Sequence, residues 1–518
     1  MLIALPSGPV LGGVTSWAVR LLNALASTRR VGLLLHRASS NSAAVATAEL
    51  PLDPRVQVTD LAPLNLPALE DAAGDLGPFL PHYRKALEDL GATRTPVAFW
   101  PSLLGDCYGI AAALSREPGL HLRTIGVAHS DNRYDAHVLA HYEPVLHALI
   151  GVSPVLSDQL AARCPARVAD MHTMPAGVDV PIVCPPRPGS GDRALRLIYA
   201  GRFEHDPKRV LALVTMSDAL LAAGRAHHLT LLGEGSARDE LLAAQRDRAG
   251  SGRRTIEVVP PVAIDRVGQL LREHDVFVLA SRYEGLPVAM LEAMAAGCCP
   301  VVTARDSGAS RILHDGRDGL LVDAPVGSDQ SDTQAAGEAL AAAVLAHSDV
   351  ALRAMGRAAH ALARAEFDIA SIARRTGDLL DRVASQPPRI WPEHRPAAFT
   401  ARPGQVGSGT VPADAATRME RLLDSLAGHR LAIHGTGQHT RELSHVLRSR
   451  LDQIVAFSDD DPTRRGRTLL DRPVVAPESL SATGASDVVI SSCLHQESIW
   501  SRREVFERQG LRVHRLYD

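Results

Sequence analysis

At 518 residues the chain is too long for a single core, and roughly one domain per 100–200 residues predicts about three. Fifty-five Lys and Arg against 58 Asp and Glu leave a formal charge of −3, so nothing points to a nucleic-acid surface or a polybasic membrane anchor. No apolar run approaches the roughly 18 residues of a transmembrane helix. The start, "MLIALPSGPVLGG", lacks the basic stretch of a signal peptide and runs straight into a strand-like segment, so a cytoplasmic location is expected. Six cysteines (Cys107, Cys164, Cys184, Cys298, Cys299 and Cys493) form no C-x-x-C pair and read as reduced packing residues. The histidines show no metal-ligand spacing, and no metal centre is expected.

Strand-like and helix-like segments then alternate along the chain, the pattern of α/β layers. "LIALP" is a first strand and "SGPVLGGV" a glycine loop. A helix follows, with Val14, Trp17, Ala18, Leu21, Leu22 and Leu25 on one stripe. "VGLLLH", "PVAFWP", "RTIGVAH" and "HALIGVS" continue the series. A Pro/Gly-rich junction at 174–192 precedes a second series, "LRLIYAG", "HHLTLLGEG", "TIEVVPP", "DVFVLAS", "CCPVVT" and "GLLV". Two helices near 333–347 and 349–365 lead to "FDIASIARRTGDLLDRVAS". Residues 385–413, with six prolines and three glycines, read as a linker without a packed core. A compact βαβ-rich unit fills 414–518.

Several loops at strand ends have the chemistry of a phosphate and sugar site. Gly12 and Gly13 precede a helix, where backbone N–H groups can approach an anion. "YAGRFEHDPKRV" places the Arg202 fork and the Lys208 point charge on one loop, a pair suited to a diphosphate. Gly233 and Gly235 flank Glu234 before another helix, where backbone can pass close to a nucleotide. In "SRYEGLPVAMLEAMAAGCCPVV", Glu284 sits on the loop leaving a strand and Glu292 inside the next helix. Open α/β sheets bind ligands at that end. Residues Leu286 to Val288 are expected to open the helix, so their N–H groups (Pro287 has none) would face a diphosphate. Each loop alone has an ordinary explanation as a tight turn or a solvated surface.

Taken together, "GGV", "AHSD" (128–131), "PAGVDV" (175–180), "GRF…K" (201–208), "GEG" (233–235), the 281–302 segment, "SGASRIL" and "DGRDGLLV" stand in one order. In that order residues 1–384 resemble the retaining glycosyltransferases of the GT-B fold, family four. The resemblance implies two Rossmann-like α/β domains facing across a cleft, an acceptor-side domain at 1–180 and a nucleotide-sugar domain at 181–384. The helix that ends the second would pack back on the first. It implies that Glu284 holds the hydroxyls of the donor sugar and Glu292 the ribose, and that Gly12, Gly13, Gly233, Gly235, Gly285, Leu286 and Val288 border the nucleotide. His129 would stand near the sugar and the acceptor, with Arg202 and Lys208 on the diphosphate. The reaction implied is transfer from a UDP- or GDP-linked sugar with retention, without cofactor or catalytic metal, to a carbohydrate, lipid-linked or protein acceptor. It leaves peripheral membrane contact open. Same-fold and scaffold alternatives are a nucleotide-sugar epimerase and a nucleotide-sugar sensor.

The C-terminal segment "HRLAIHGTGQHTRELSHVL" spells strand, glycine turn (Gly435 to Gly437) and helix. This is a dinucleotide-type fingerprint without its third glycine, and Asp459 is spaced to meet a ribose. The unit resembles a small Rossmann-like domain found beside sugar acyltransferases and methyltransferases. Read alone, the motif also allows an NAD-dependent oxidoreductase or an empty scaffold used for docking.

Overall fold

The computed structural model describes residues 1–517 apart from 10–11, 38–49, 73, 103, 131–132, 188–193, 251–254, 304–306, 326–329, 394, 396, 400–414, 438, 441–442, 461–463, 493–495 and 501. Asp131, Asp461, Cys493 and residues 400–413 of the expected linker therefore lie outside the described residues.

The strand-like runs form three mainly parallel sheets. In the first, β1 (Leu2–Leu5), β2 (Gly32–Leu35), β3 (Gln57–Asp60), β4 (Val97–Trp100), β5 (Leu122–Ala128), β6 (Leu146–Gly151) and β7 (Met171–Thr173) take the order β3-β2-β1-β4-β5-β6-β7. In the second, β8 (Leu195–Ala200), β9 (His227–Leu232), β10 (Ile256–Val259), β11 (Val276–Leu279), β12 (Cys299–Thr303) and β13 (Leu320–Val322) take the order β10-β9-β8-β11-β12-β13. The central strands are buried along their whole length because helices cover both faces, and such strands read as unbroken apolar runs. The two edge strands of the first sheet, "QVTD" and "MHT", have no such run, and the sequence did not suggest them. In both sheets the order reverses beside the first strand, between β1 and β4 and between β8 and β11. The crevice at the strands' carboxyl ends is the binding position of this topology.

Compactness divides the chain at Met1–Arg402 and Pro403–Asp518. Within the first unit the Ile369–Ser385 helix leaves the second sheet and returns to the first. Asp368 caps it by accepting from Ser371 N at 3.4 Å. Arg29, next to the Gly13–Leu25 helix, donates to Asp381 Oδ2 at 2.6 Å and to Gly377 O at 3.1 Å.

The linker expectation needs correction over its first half. The described residues of 386–399 form a strap packed on the first sheet domain. Trp391 is fully buried, its N–H donating to Ser115 Oγ at 2.9 Å, while Arg116 Nε donates to its carbonyl at 3.1 Å. Its ring lies 5.1 Å from that of Tyr142. Phe399 covers Gly105, where a Cβ would come within 2.4 Å of the Phe ring. Composition argued against packing because prolines dominate the stretch. Two aromatic residues and backbone carbonyls held by arginines suffice to dock it.

The second unit is a third α/β sheet. Its strands β14 (Leu431–His434), β15 (Ile454–Ser458), β16 (Thr468–Leu469), β17 (Arg472–Val475), β18 (Asp487–Ile490) and β19 (Arg512–Arg515) run β16-β17-β15-β14-β18-β19. Only the β16–β17 pair is antiparallel.

Candidate nucleotide-sugar site

The site lies where both switch points of the first unit meet. From the second sheet, the loop after β8 brings Arg202 and Lys208, and the loop after β11 brings Glu284. Lys208 Nζ forms an ion pair with Glu284 Oε1, and Ser281 Oγ donates to the same oxygen at 2.7 Å. Both side chains are mostly buried (17% and 15% exposed), so the pair is only weakly screened by solvent. The two loops are joined again by Arg282, whose N–H donates to Pro207 O at 2.9 Å and whose guanidinium donates to Asp206 at 2.6 Å. Arg202 instead faces Glu204 at 2.6 Å and is half exposed.

The Val288–Ala295 helix starts two residues later than expected. Leu286 precedes a proline, which disfavours helical backbone, and Pro287 is extended with φ −70° and ψ 103°. Leu286 is buried and stands outside the helix. Val288 and Ala289 occupy the first turn, where no preceding helical carbonyl takes their amides. Gly13 faces this turn across the cleft, since a Cβ at that position would sit 3.1 Å from Val288 Cγ2.

Gly12, Gly13, Arg202, Gly233, Val288 and Glu292 line one cavity, together with Ser16, Glu234, Pro261, Val262, Val267 and Ala289. Gly235, Gly285, Leu286, His129, Lys208 and Glu284 are not on its wall. Gly233 has φ 153° and Gly235 φ 150°, and added Cβ atoms would stand 1.9 Å from Gly201 O and 2.4 Å from Phe203 O. Their missing side chains let this loop pass close to the backbone at Gly201 and Phe203, and of the two only Gly233 lines the cavity. Gly285 likewise makes room for a protein backbone, as a Cβ there would lie 2.2 Å from His129 O.

His129 follows β5 and rests edge-on against Trp17 at 4.7 Å, and Trp17 stacks on Trp100 at 5.7 Å. Desolvation pulls its imidazole down to about 3, so the ring is neutral at physiological pH. Its Nε2 is buried without a hydrogen-bond partner. Asp135 holds this turn by accepting from His129 N at 2.8 Å and Ser130 N at 3.0 Å. Burial pushes its carboxyl up to about 7 despite those two donors. The apolar floor at Pro261 and Val262 carried no sequence signal, and neither did Asp135.

A further residue missed from the sequence is Arg20, which donates from Nη2 to Glu292 Oε1. Its spacing from Gly13 and Ser16, seven and four residues, places all three on one helix face, and that periodicity was available in the sequence. Among the described residues, no three His, Cys, Asp or Glu side chains converge as a metal cluster would. No single described helix is long and apolar enough to cross a membrane.

Two parallel-sheet domains with facing switch points, glycine loops and paired charges define a GT-B α/β architecture. Residues 194–367 match the family model described as "Glycosyl transferases group 1". The D-inositol 3-phosphate glycosyltransferase of Arthrobacter sp. (strain FB24) is 32% identical over 198 residues, 36% of this chain and 45% of that protein. The alpha-maltose-1-phosphate synthase of Mycolicibacterium smegmatis is 30% identical over 260 residues, 46% of this chain and 64% of that protein. The match thus spans less than two thirds of either relative. Among solved structures, the sucrose-phosphate synthase of Thermosynechococcus elongatus superposes with a TM-score of 0.57 at 17% identity. That superposition covers 74% of this chain and 98% of the other, and it shows the shared fold.

Proposed function

We propose that the chain is a glycosyltransferase that moves a sugar from a UDP- or GDP-linked donor to a hydroxyl acceptor with retention at the anomeric carbon, without a catalytic metal. The observation that carries this reading is the Lys208–Glu284 pair at the second sheet's switch point, set beside a cavity bordered by Arg202, Glu292 and a helix N-terminus. Glu292 reaches the ribose and Glu284 the sugar hydroxyls. Lys208, Arg202 and the first-turn amides of the Val288–Ala295 helix meet the diphosphate.

As the C1–O bond of the donor breaks, its electrons pass to the β-phosphate oxygen, where these cations offset the growing charge. The acceptor oxygen bonds to C1 on the same face, and its proton goes to the departing phosphate. Retention through a covalent intermediate would need a free carboxylate nucleophile close to a second acid. Glu284 and Glu292 are each engaged by a cation from another segment, which favours the same-face route. His129, neutral and with Nε2 unpartnered, is suited to accept from or donate to a hydroxyl on the acceptor side. The acceptor's class, carbohydrate, lipid-linked or protein, follows from the first domain's loops.

The test is a thermal-shift panel of UDP, GDP and their sugars, since a ligand of the native state raises the melting temperature by mass action. NMR of the product's anomeric proton and assay in excess EDTA complete it. Absence of any shift, an inverted product, or activity lost in EDTA and restored by manganese would each refute the corresponding part.

A further inference from the structure

Arg20 projects from the Gly13–Leu25 helix of the first sheet domain, and its side chain is only 12% exposed. Nη2 donates to Glu292 Oε1, on the Val288–Ala295 helix of the second domain. Nε lies 3.8 Å from Asp179 Oδ2, in the segment that joins the two domains. Nη1 is buried with no hydrogen-bond partner. A guanidinium so placed draws on three parts of the unit: the acceptor-side helix, the junction and the donor-side helix.

We propose that Arg20 is a positioning residue that presents Glu292 to the ribose and does so only when the cleft is closed. The inference rests on the donor reading given above. Two physical arguments support it. A carboxylate beside a nucleoside diphosphate meets a ligand of like charge, and Arg20 offsets that repulsion without occupying the phosphate site. A carboxylate also has two oxygens and about four acceptor positions. With Oε1 held by the Arg fork, the group's rotation is fixed and the remaining positions stay available to the hydroxyls. Because the two residues come from different domains, opening the cleft separates them, and Glu292 loses both its orientation and its charge partner. Ribose recognition is thereby tied to closure.

The experiment measures binding of UDP and GDP, and of their 2′-deoxy and 3′-deoxy counterparts, by titration calorimetry on the full chain and on Arg20→Ala, Arg20→Gln and Arg20→Lys. The wild-type chain is expected to prefer at least one ribonucleotide over a deoxy counterpart by about ten-fold or more, the scale of one lost charge-assisted hydrogen bond. In Arg20→Ala the ribonucleotide affinity should fall about ten-fold, while the deoxy forms change little, so that the ratio shrinks to within about three-fold. Arg20→Lys should regain part of the affinity through its charge. With a sugar donor, KM should rise while kcat stays within about three-fold, because ribose contacts are uniform binding.

A role limited to holding the fold would weaken all nucleotides equally and leave the ratio unchanged, which overturns the proposal. An Arg20→Ala chain that binds as wild type overturns it as well. Should Arg20→Ala not fold, Arg20→Gln keeps the stem's packing and carries the same comparison. A wild-type chain that binds no nucleoside diphosphate removes the donor reading and this proposal together. A wild-type chain that binds, matched by its Arg20 variants, removes only the role of Arg20.

Discussion

The donor-side crevice of the second sheet and the glycine turn of the third sheet are built on one pattern, strand, glycine loop and helix at a topological switch point. They differ in what the polar groups there are bonded to. In the second sheet, Lys208 and Glu284 pair between two loops, and Glu292 pairs across a cleft with Arg20, beside a cavity. In the third, Asp459 follows β15 as expected, but its Oδ2 accepts from Thr436 N at 2.7 Å, Thr436 Oγ1 at 2.6 Å and Arg464 at 3.1 Å. His439 bridges Ser491 Oγ at 3.1 Å and Tyr517 OH at 2.6 Å, and Thr440 Oγ1 donates to Gly435 O at 2.6 Å. The carboxylate placed to meet a ribose is turned onto its own glycine loop and is buried. A fingerprint specifies the turn. Whether the groups around it are open to a ligand depends on partners elsewhere in the chain.

The largest effect should come from the strap, and it sharpens the division between the units. A chain ending at Ser385 lacks Trp391 and Phe399 and exposes the aromatic surface of Tyr142, Tyr134 and His141. Loss of one fully buried Trp costs about 3–5 kcal/mol. A chain ending at Arg402 keeps the strap. Residues 1–402 should therefore fold, bind donor and melt close to the full chain's first unit, whereas residues 1–385 and Trp391→Ala should melt many degrees lower. Equal melting of the 385 and 402 truncations would return residues 386–399 to the status of a linker.

Next in size is Lys208→Ala, expected to lower turnover about a hundred-fold, or about 2.7 kcal/mol, with donor binding less affected. Loss of Lys208 also leaves Glu284 mostly buried without its cation, so Lys208→Met and Glu284→Gln should be compared. Turnover unchanged in Lys208→Ala would place the leaving-group charge elsewhere, and the contrast between open and engaged switch points would lose its main support.

These outcomes bear on how much the sequence made legible. The alternation of apolar runs predicted the central strands of all three sheets, because strands covered on both faces need unbroken apolar stretches. Edge strands β3 and β7 carry no unbroken apolar run and so do not stand out. Lys208 and Glu284, and Arg202 and Glu292, were each readable as charges on strand-end loops or the helix after them. What could not be read was pairing between distant segments. Arg20 and Glu292 are 272 positions apart, and Arg116 and Trp391 are 275 apart. Local pattern carries no information about such partners until the topology brings them together. The glycines were legible as sites of close approach, but not what approaches them.

The smallest expected effect on donor chemistry is that of Asp459→Asn, and it tests the comparison from its other side. The amide oxygen can still accept from Thr436 N and Oγ1, but the charge that faces Arg464 is lost. Arg464 is 42% exposed, so solvent screens that pair, and the second unit should lose about 1–2 kcal/mol of stability. Donor affinity and turnover should not change, since the carboxylate belongs to the other compact unit. NADH fluorescence should be unaltered on mixing with either chain, because the position that would meet a ribose is engaged by Thr436. Were the wild-type chain to bind NADH, and Asp459→Asn to abolish it, Asp459 would have to exchange Thr436 for a ribose hydroxyl. The glycine turn of the third sheet would then be as open as the donor crevice, and hydrogen bonding to neighbouring residues would no longer separate the two.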